Sequence, residues 1–253
     1  MSSFLVSLIV CGFIFGGALF GMLLRYLLPE HHLSSETKDV VKLGAGLIGT
    51  MAALVLGLLV GSAKSSYDTQ KNEVIDLAAG VVMLDRTLAH FGPEAKPARE
   101  SLRAAANGAV ERLWNTPAPS QGGKATPLTQ QAGDTLYDQL HALAPQTDAQ
   151  RAANSEANSI FSSMFRTRLL LFAQSGSSLS MPLLFVMTFW LSAVFTSFGL
   201  FAPRNATVVA TLLASAISVS GAVFLILEMD RPFSGMIQIS SAPIKHAIEQ
   251  LGR

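Results

Sequence analysis

Five charged residues stand where a chain with long neutral segments could meet ions: Arg25, Arg204, Glu228, Asp230 and Arg231. Each lies at or near the border of a stretch without Asp, Glu, Lys or Arg. When a conducting pathway is lined by neutral groups, charged rings at its mouths set selectivity. Glu228 and Asp230 carry the sharpest signal. Pro232 disfavours the helical region at Arg231, so a helix arriving through Leu227 should stop near Asp230. Two acids then sit at a helix C-terminus, where the macrodipole opposes negative charge. Such a placement needs a partner. It is Arg231 or a basic residue of the polar block at 64–168, or else the acids form a ring at a pore mouth or a cation site. Arg204 suits an interfacial anchor that snorkels to head groups, or a basic ring at the opposite mouth.

Other candidate chemistry is thin. Glu30-His31-His32 could suggest a metal, but adjacent histidines suit a single ion poorly and no second ligand cluster is in view. Ser35-Glu-Thr-Lys38 has the Ser-x-x-Lys spacing of penicillin-binding enzymes without the companion motifs, so Ser34 or Ser35 is read as a helix N-cap. There is no His-Glu-x-x-His, no Gly-x-Ser-x-Gly, no P-loop and no dinucleotide fingerprint. No enzyme, metal or cofactor is expected.

The neutral stretches contain rows of small residues. Ala45, Gly49, Ala53, Gly57 and Gly61 follow at four-residue spacing, as do Ala206, Ala210, Ala214, Ser218 and Ala222. Gly12, Gly16, Gly17 and Gly21 form two Gly-x-x-x-Gly pairs. Helices in lipid gain no hydrophobic energy from each other and associate where small side chains let backbones approach. These rows therefore pack helices within one chain, or line a narrow pore or a subunit interface. The first row is the best candidate for the second role.

The elements that must position these groups follow from charge layout. All 18 basic and 17 acidic side chains avoid four windows: 1–24, 43–63, 169–203 and 205–227. A hydrocarbon core about 30 Å thick is spanned by roughly 20 apolar residues in a helix, and a charge at its centre costs several kcal/mol. Spans are expected at about 4–28, 40–63, 182–201 and 206–227. The neutrality of their interiors argues against a proton-driven transporter, which needs ionisable groups at membrane depth. Net charge is only +1, which gives no electrostatic reason to expect nucleic acid. The lone Cys11 rules out a disulfide within the chain. The first window lacks the basic start and cleavage site of a signal peptide and reads as a retained span.

The fold expected is an all-α membrane protein. Hairpin 1 occupies 1–63, a helical extramembrane domain 64–180, hairpin 2 181–228 and a tail 229–253. Within the polar block, Tyr67, Gln70, Val74, Leu77, Val81, Leu84, Leu88 and Phe91 follow the 3.5-residue period of a packed seam. Nothing interrupts this run, so one helix is predicted from about Ser35 to Phe91, ended by Gly92-Pro93. Further helices are predicted over 94–114 and 129–143, and from Thr147 or Asp148 toward Ala173. A Pro/Gly/Ser loop is predicted at 116–128, and a breaking Ser/Gly segment at 174–180. Asn205 is read as the N-cap of the last span. Basic residues near span ends place the termini and central block in the cytoplasm: Lys64, Lys71, Arg166, Arg168, Arg231 and Lys245 outnumber Arg25, Lys38, Lys42 and Arg204 on the other side.

Three stretches are familiar together: SSETKDVVKLG at 34–44, FGLFAPRNAT at 198–207 and EMDRPFSG at 228–235. On these, the chain resembles the bestrophin-like family of bacterial membrane proteins, distantly similar to bestrophin ion channels. The resemblance implies a homo-oligomeric ion channel of the bacterial inner membrane, pentameric, with four spans per subunit, cytoplasmic termini and a pore surrounded by the second span. Membrane lipid, other copies of the chain and permeant ions are its implied partners. The sequence departs from bestrophins at two places. Residues 43–63 hold no aromatic where a pore neck would have one, and only Glu228 and Asp230 stand near a calcium clasp. A rival reading is a membrane-anchored scaffold or sensor whose helical domain binds a partner.

Overall fold

Proline, glycine and short polar caps set most helix boundaries in the computed structural model, which describes residues 2–29, 34–115, 127–174, 181–203 and 205–252. Helix α1 (Ser3–Leu27) begins at Ser2, whose hydroxyl accepts the Leu5 N–H, and ends one residue before Pro29. Helix α2 (Ser35–Phe91) is continuous over 57 residues. Its N-cap is Ser34, whose Oγ accepts the Thr37 N–H at 3.3 Å. It stops at Gly92, where φ is 126°. That left-handed value lets the chain leave the helix axis at no steric cost only because the residue has no Cβ.

A 3-10 turn (Pro93–Ala95) leads into α3 (Lys96–Val110), which closes in a π-helical turn, Glu111–Asn115. Helix α4 covers Pro127–Ala142 and α5 Asp148–Gln174. Thr147 caps α5 by accepting the Gln150 N–H at 3.2 Å. Gln150 reaches back to the N–H groups of Gln146 and Thr147, which completes a capping box. Its Nε2 also donates to the Phe91 carbonyl at 3.0 Å, tying the start of α5 to the end of α2. Helix α6 (Met181–Phe201) and helix α7 (Ala206–Met229) follow, the latter capped by the Asn205 side chain on the Val208 N–H at 2.8 Å. Helix α8 (Ala242–Gln250) is the last. All regular structure among the described residues is helical. Among the described residues four helices are long and apolar enough to cross a membrane: α1, α2, α6 and α7. Most of the predicted 116–128 loop, Glu30-His31-His32, Arg204 and nearly all of the 174–180 breaker lie outside the described residues.

The chain divides into two units, and the division falls inside α2. Unit 1 comprises Met1–Ser66 and Ser177–Asp230. Its core gathers Ile14, Ala18, Leu59, Ala63, Met187, Phe195, Ala216, Val223 and Ile226. Helix α1 lies against α6 and α7. The α1–α6 approach is so close that a Cβ on Gly21 would fall 2.0 Å from the Thr196 carbonyl oxygen, and one on Gly199 2.0 Å from that of Ala18. Those obstacles are backbone, so no rotamer change relieves them. The glycines of the second Gly-x-x-x-Gly pair, Gly17 and Gly21, thus serve packing within the chain.

Unit 2 comprises Tyr67–Gly176 and Arg231–Arg253. The α2 seam read from the sequence is its central strip. Val74, Val81, Leu84, Leu88 and Phe91 are buried, Gln70 is buried with them, and Tyr67 and Leu77 are half-buried against the cluster. Leu102 and Ala106 of α3, Leu136 and Leu140 of α4, and Ala157 of α5 complete the packing. The sequence reading sets 229–253 apart as a tail. The chain from Arg231 onward instead supplies Ile239, Ile244, Ala247 and Leu251 to this core. Trp114 Nε1 donates to the Ile239 carbonyl at 2.6 Å, and its ring meets Phe233 edge to face with centroids 5.5 Å apart.

Candidate functional site

A residue row at four-residue spacing does not run straight along a helix. Each step turns about 400°, so the row drifts by about 40° per step. The α2 row shows the consequence. Ala45 is buried, Gly49 is half-buried, and Ala53, Gly57 and Gly61 are exposed. The positions covered by the rest of unit 1 are instead Ala45, Ala52, Leu59 and Ala63. The first member of the row thus belongs to the packed side of α2 and its last three members to the open side.

The open side of α2 has two flanks. Leu43, Leu47, Leu54 and Leu58 make a bulky one, with exposures from 65% to 76%. Gly46, Gly49, Thr50, Ala53 and Gly57 make a narrow one, on which Thr50 turns its hydroxyl back to the Gly46 carbonyl at 2.9 Å. A Cβ added to Gly46, Gly49, Gly57 or Gly61 would meet nothing within 4 Å. Among the described residues these glycines therefore make no close contact, in contrast to Gly17, Gly21 and Gly199. The α7 row behaves like the α2 row. Ala206, Ala210, Ala214 and Ser218 are exposed and Ala222 is half-buried, while Leu212, Ala216, Ser220 and Val223 take the packed side.

The charged candidates fall at the two ends of unit 1. Arg25, in the last turn of α1, donates through Nη1 to the Ala202 carbonyl at 2.5 Å, so it holds the chain that leaves α6 just before α7 begins. Glu228 and Asp230 sit at the opposite end of α7, about 33 Å away at 1.5 Å per residue. That is slightly more than a hydrocarbon core. Glu228 is buried, Asp230 is half-buried and Arg231 is exposed. Asp230 N–H closes α7 on the Ile226 carbonyl at 3.1 Å. The structure thus groups Glu228 with Asp230 and separates both from Arg25; Arg204 is not among the described residues. No group of three or more His, Cys, Asp or Glu side chains is gathered to hold a metal among the described residues.

Sequence reasoning missed the most specific polar cluster, which lies in unit 2. Asp85 of α2 receives Arg99 Nε at 2.7 Å and Nη2 at 2.8 Å, and its Oδ2 also accepts the Gly252 N–H at 3.2 Å. Burial alone would push the Asp85 carboxyl up. The Arg99 hydrogen bonds, the Gly252 amide and the charges of Arg99 and Arg103 outweigh it and hold the carboxyl below the usual range. The same pairing raises Arg99. The available signal was an acid set between the seam positions Leu84 and Leu88. The arrangement is a fork-to-fork clamp that fixes the chain end to α2 and α3.

A family model of the Bestrophin-like domain matches residues 12–244. Two solved structures of a bacterial bestrophin homologue from Klebsiella pneumoniae, one with an Ile-to-Thr and one with a Tyr-to-Ala substitution, share the fold. Their TM-scores are 0.71 and 0.69 at 13% and 12% identity; the alignments cover 94% of this chain in each case, and 96% and 97% of theirs. A membrane protein carrying a Pro-to-Ala substitution matches with a TM-score of 0.68 at 12% identity, over 92% of this chain and 97% of its own. No curated protein matches the sequence. At such identities the solved structures speak to the fold, while the family match extends over nearly the entire sequence. The chain belongs to the bestrophin-like family.

Proposed function

We propose that the protein is a homo-oligomeric ion channel of the bestrophin-like type, with α2 surrounding the conduction path. The observation that carries this reading is the narrow flank of α2. In lipid, small side chains are placed where another backbone or a pathway comes close. Among the described residues a Cβ on Gly49 or Gly57 meets nothing within 4 Å, and Ala53 is exposed, so their neighbour is another copy or a line of permeant ions. Four spans in two hairpins, with the helical block between the second and third, bring one α2 per subunit to a common axis. Five copies in a bacterial inner membrane, with termini and block in the cytoplasm, is the arrangement the family suggests. Asp230 and Arg231, backed by Glu228, then act at the cytoplasmic mouth, and Arg25 with Arg204 near the outer one. A pore of neutral groups can gate by dewetting and take its selectivity from such rings.

Reconstitution in planar bilayers tests the proposal. Wild-type protein should give unitary currents, and Gly57→Leu should lower their amplitude severalfold while leaving the melting temperature unchanged. Absence of current under every voltage and salt gradient overturns it. A monomer or dimer by native mass spectrometry, without current, supports the scaffold reading instead.

A further inference from the structure

Helix α5 turns large apolar side chains outward near its end. Phe165, Leu169 and Leu170 are 47%, 53% and 42% exposed, and Arg166 is exposed beside them. Their direction is fixed by the core of unit 2, in which Leu171 is buried and against which Phe161 packs. Residues two apart on a helix differ by about 200°, so Leu169 faces almost directly away from Leu171. Phe165 lies one turn before Leu169 on the same side, and Arg166 flanks both. Aromatic rings tie this face to the interior. Phe165 stacks on Phe161 with centroids 6.3 Å apart, and Phe161 meets Tyr137 of α4 at 6.2 Å. The end of α5 therefore cannot roll to hide Leu169 without pulling Leu171 out of the core.

Single exposed apolar residues are ordinary, but adjoining ones mark a contact surface. The chain itself points to what this surface meets. The neutral window 169–203 begins inside α5, yet α6, at 21 residues, is long enough to cross a bilayer alone. Residues 169–180 are thus neutral without being needed for the crossing. By chain length alone, the seven steps from Gln174 to Met181 keep the end of α5 within about 25 Å of the start of that span. Arg166 sets a cation at the border of the leucines. A basic head beside an apolar face is the pairing that seats a helix among lipid head groups.

We propose that the last turns of α5 rest in the head-group layer of an anionic bilayer. Phe165, Leu169 and Leu170 enter the upper acyl region, and Arg166 meets the lipid phosphates. The helical block then has an attachment to the membrane besides the chain that links it to the spans. The proposal goes beyond ion conduction and is read by lipid contact, not by current, so its failure and that of the channel reading are distinguishable.

The test uses the full chain in vesicles of phosphatidylcholine with phosphatidylglycerol. Cys11 is the one cysteine, so Cys11→Ser lets a single fluorophore be placed through Leu169→Cys or, about 20 Å earlier on the same side of α5, through Ser155→Cys. A lipid carrying a nitroxide near its head group should quench the label at 169 severalfold more than the label at 155. Acrylamide in the water should do the reverse. Arg166→Glu, at an exposed site, should lower the lipid quenching at 169, and more so in these vesicles than in pure phosphatidylcholine. Equal lipid quenching at the two positions, or a label at 169 open to acrylamide, overturns the proposal. So does a label at 169 shielded from both quenchers, as a second copy would shield it, or undiminished quenching in Arg166→Glu.

Discussion

At the scale of residues, glycine has opposite uses at the α1–α6 contact and on α2. Gly199 and Gly21 fill contacts with no room for a methyl group, since backbone oxygens lie 2.0 Å from the place a Cβ would take. Gly199→Ala should therefore cost about 1–3 kcal/mol as overpacking, read as a lower melting temperature and a broader size-exclusion peak. Gly57→Ala should change stability little, because its Cβ meets nothing. The buried carboxylate of Asp85, with its side chain 7% exposed against 26% for Arg99, gives a second prediction. Arg99→Ala leaves that carboxylate without its fork and should cost about 3 kcal/mol. Because the folded Asp85 titrates below its unfolded counterpart, its contribution is complete above the ordinary carboxylate range and is lost as pH falls through the folded value. Unfolding curves recorded from neutral pH downward should show an acid-side decline that is shallower in Asp85→Asn.

At the scale of elements, α2 is one helix with two surface programmes. From Tyr67 onward its seam is covered by α3, α4, α5 and the final segment of the chain. Before Ser66 it presents a packed side, a leucine flank and a narrow flank. The seam was legible because eight positions at heptad spacing leave little choice of face. The fate of the C-terminal segment was not. Helix α8 is nine residues long, too short for periodicity to declare a buried side, and the residues that anchor 231–253 are Trp114, Tyr67 and Asp85, far off in sequence. Trp114→Phe removes the donor to the Ile239 carbonyl and should cost about 1–2 kcal/mol. Limited proteolysis should then cut the variant within 231–253 faster than the wild type, while α1 to α7 remain protected.

At the scale of the whole molecule, the open rows on α2 and α7 are what a single chain leaves unmatched. The channel reading predicts a closed ring of copies in native mass spectrometry. It also predicts that Asp230→Asn or Arg231→Gln shifts the reversal potential in a salt gradient, because mouth charges bias which ion enters. Gly57→Leu acts on current amplitude instead. Unchanged reversal potentials in both mouth variants would remove Asp230 and Arg231 from the pathway.

The sequence by itself determined the four neutral helices, the cap at Asn205, the caps of α2 and α5 to within one residue, the unbroken α2 and its seam. These are local or periodic properties: a cap needs its own side chain, and a membrane-crossing helix needs neutral length. Only the tertiary structure decided which small-residue rows are used inside the chain. Spacing of four is the same whether a backbone lies opposite or not, and the drift of the row around α2 carries Ala45 and Gly61 to different sides. It also decided the Asp85–Arg99 clamp, because those partners meet through the packing of separate helices, which no local pattern encodes.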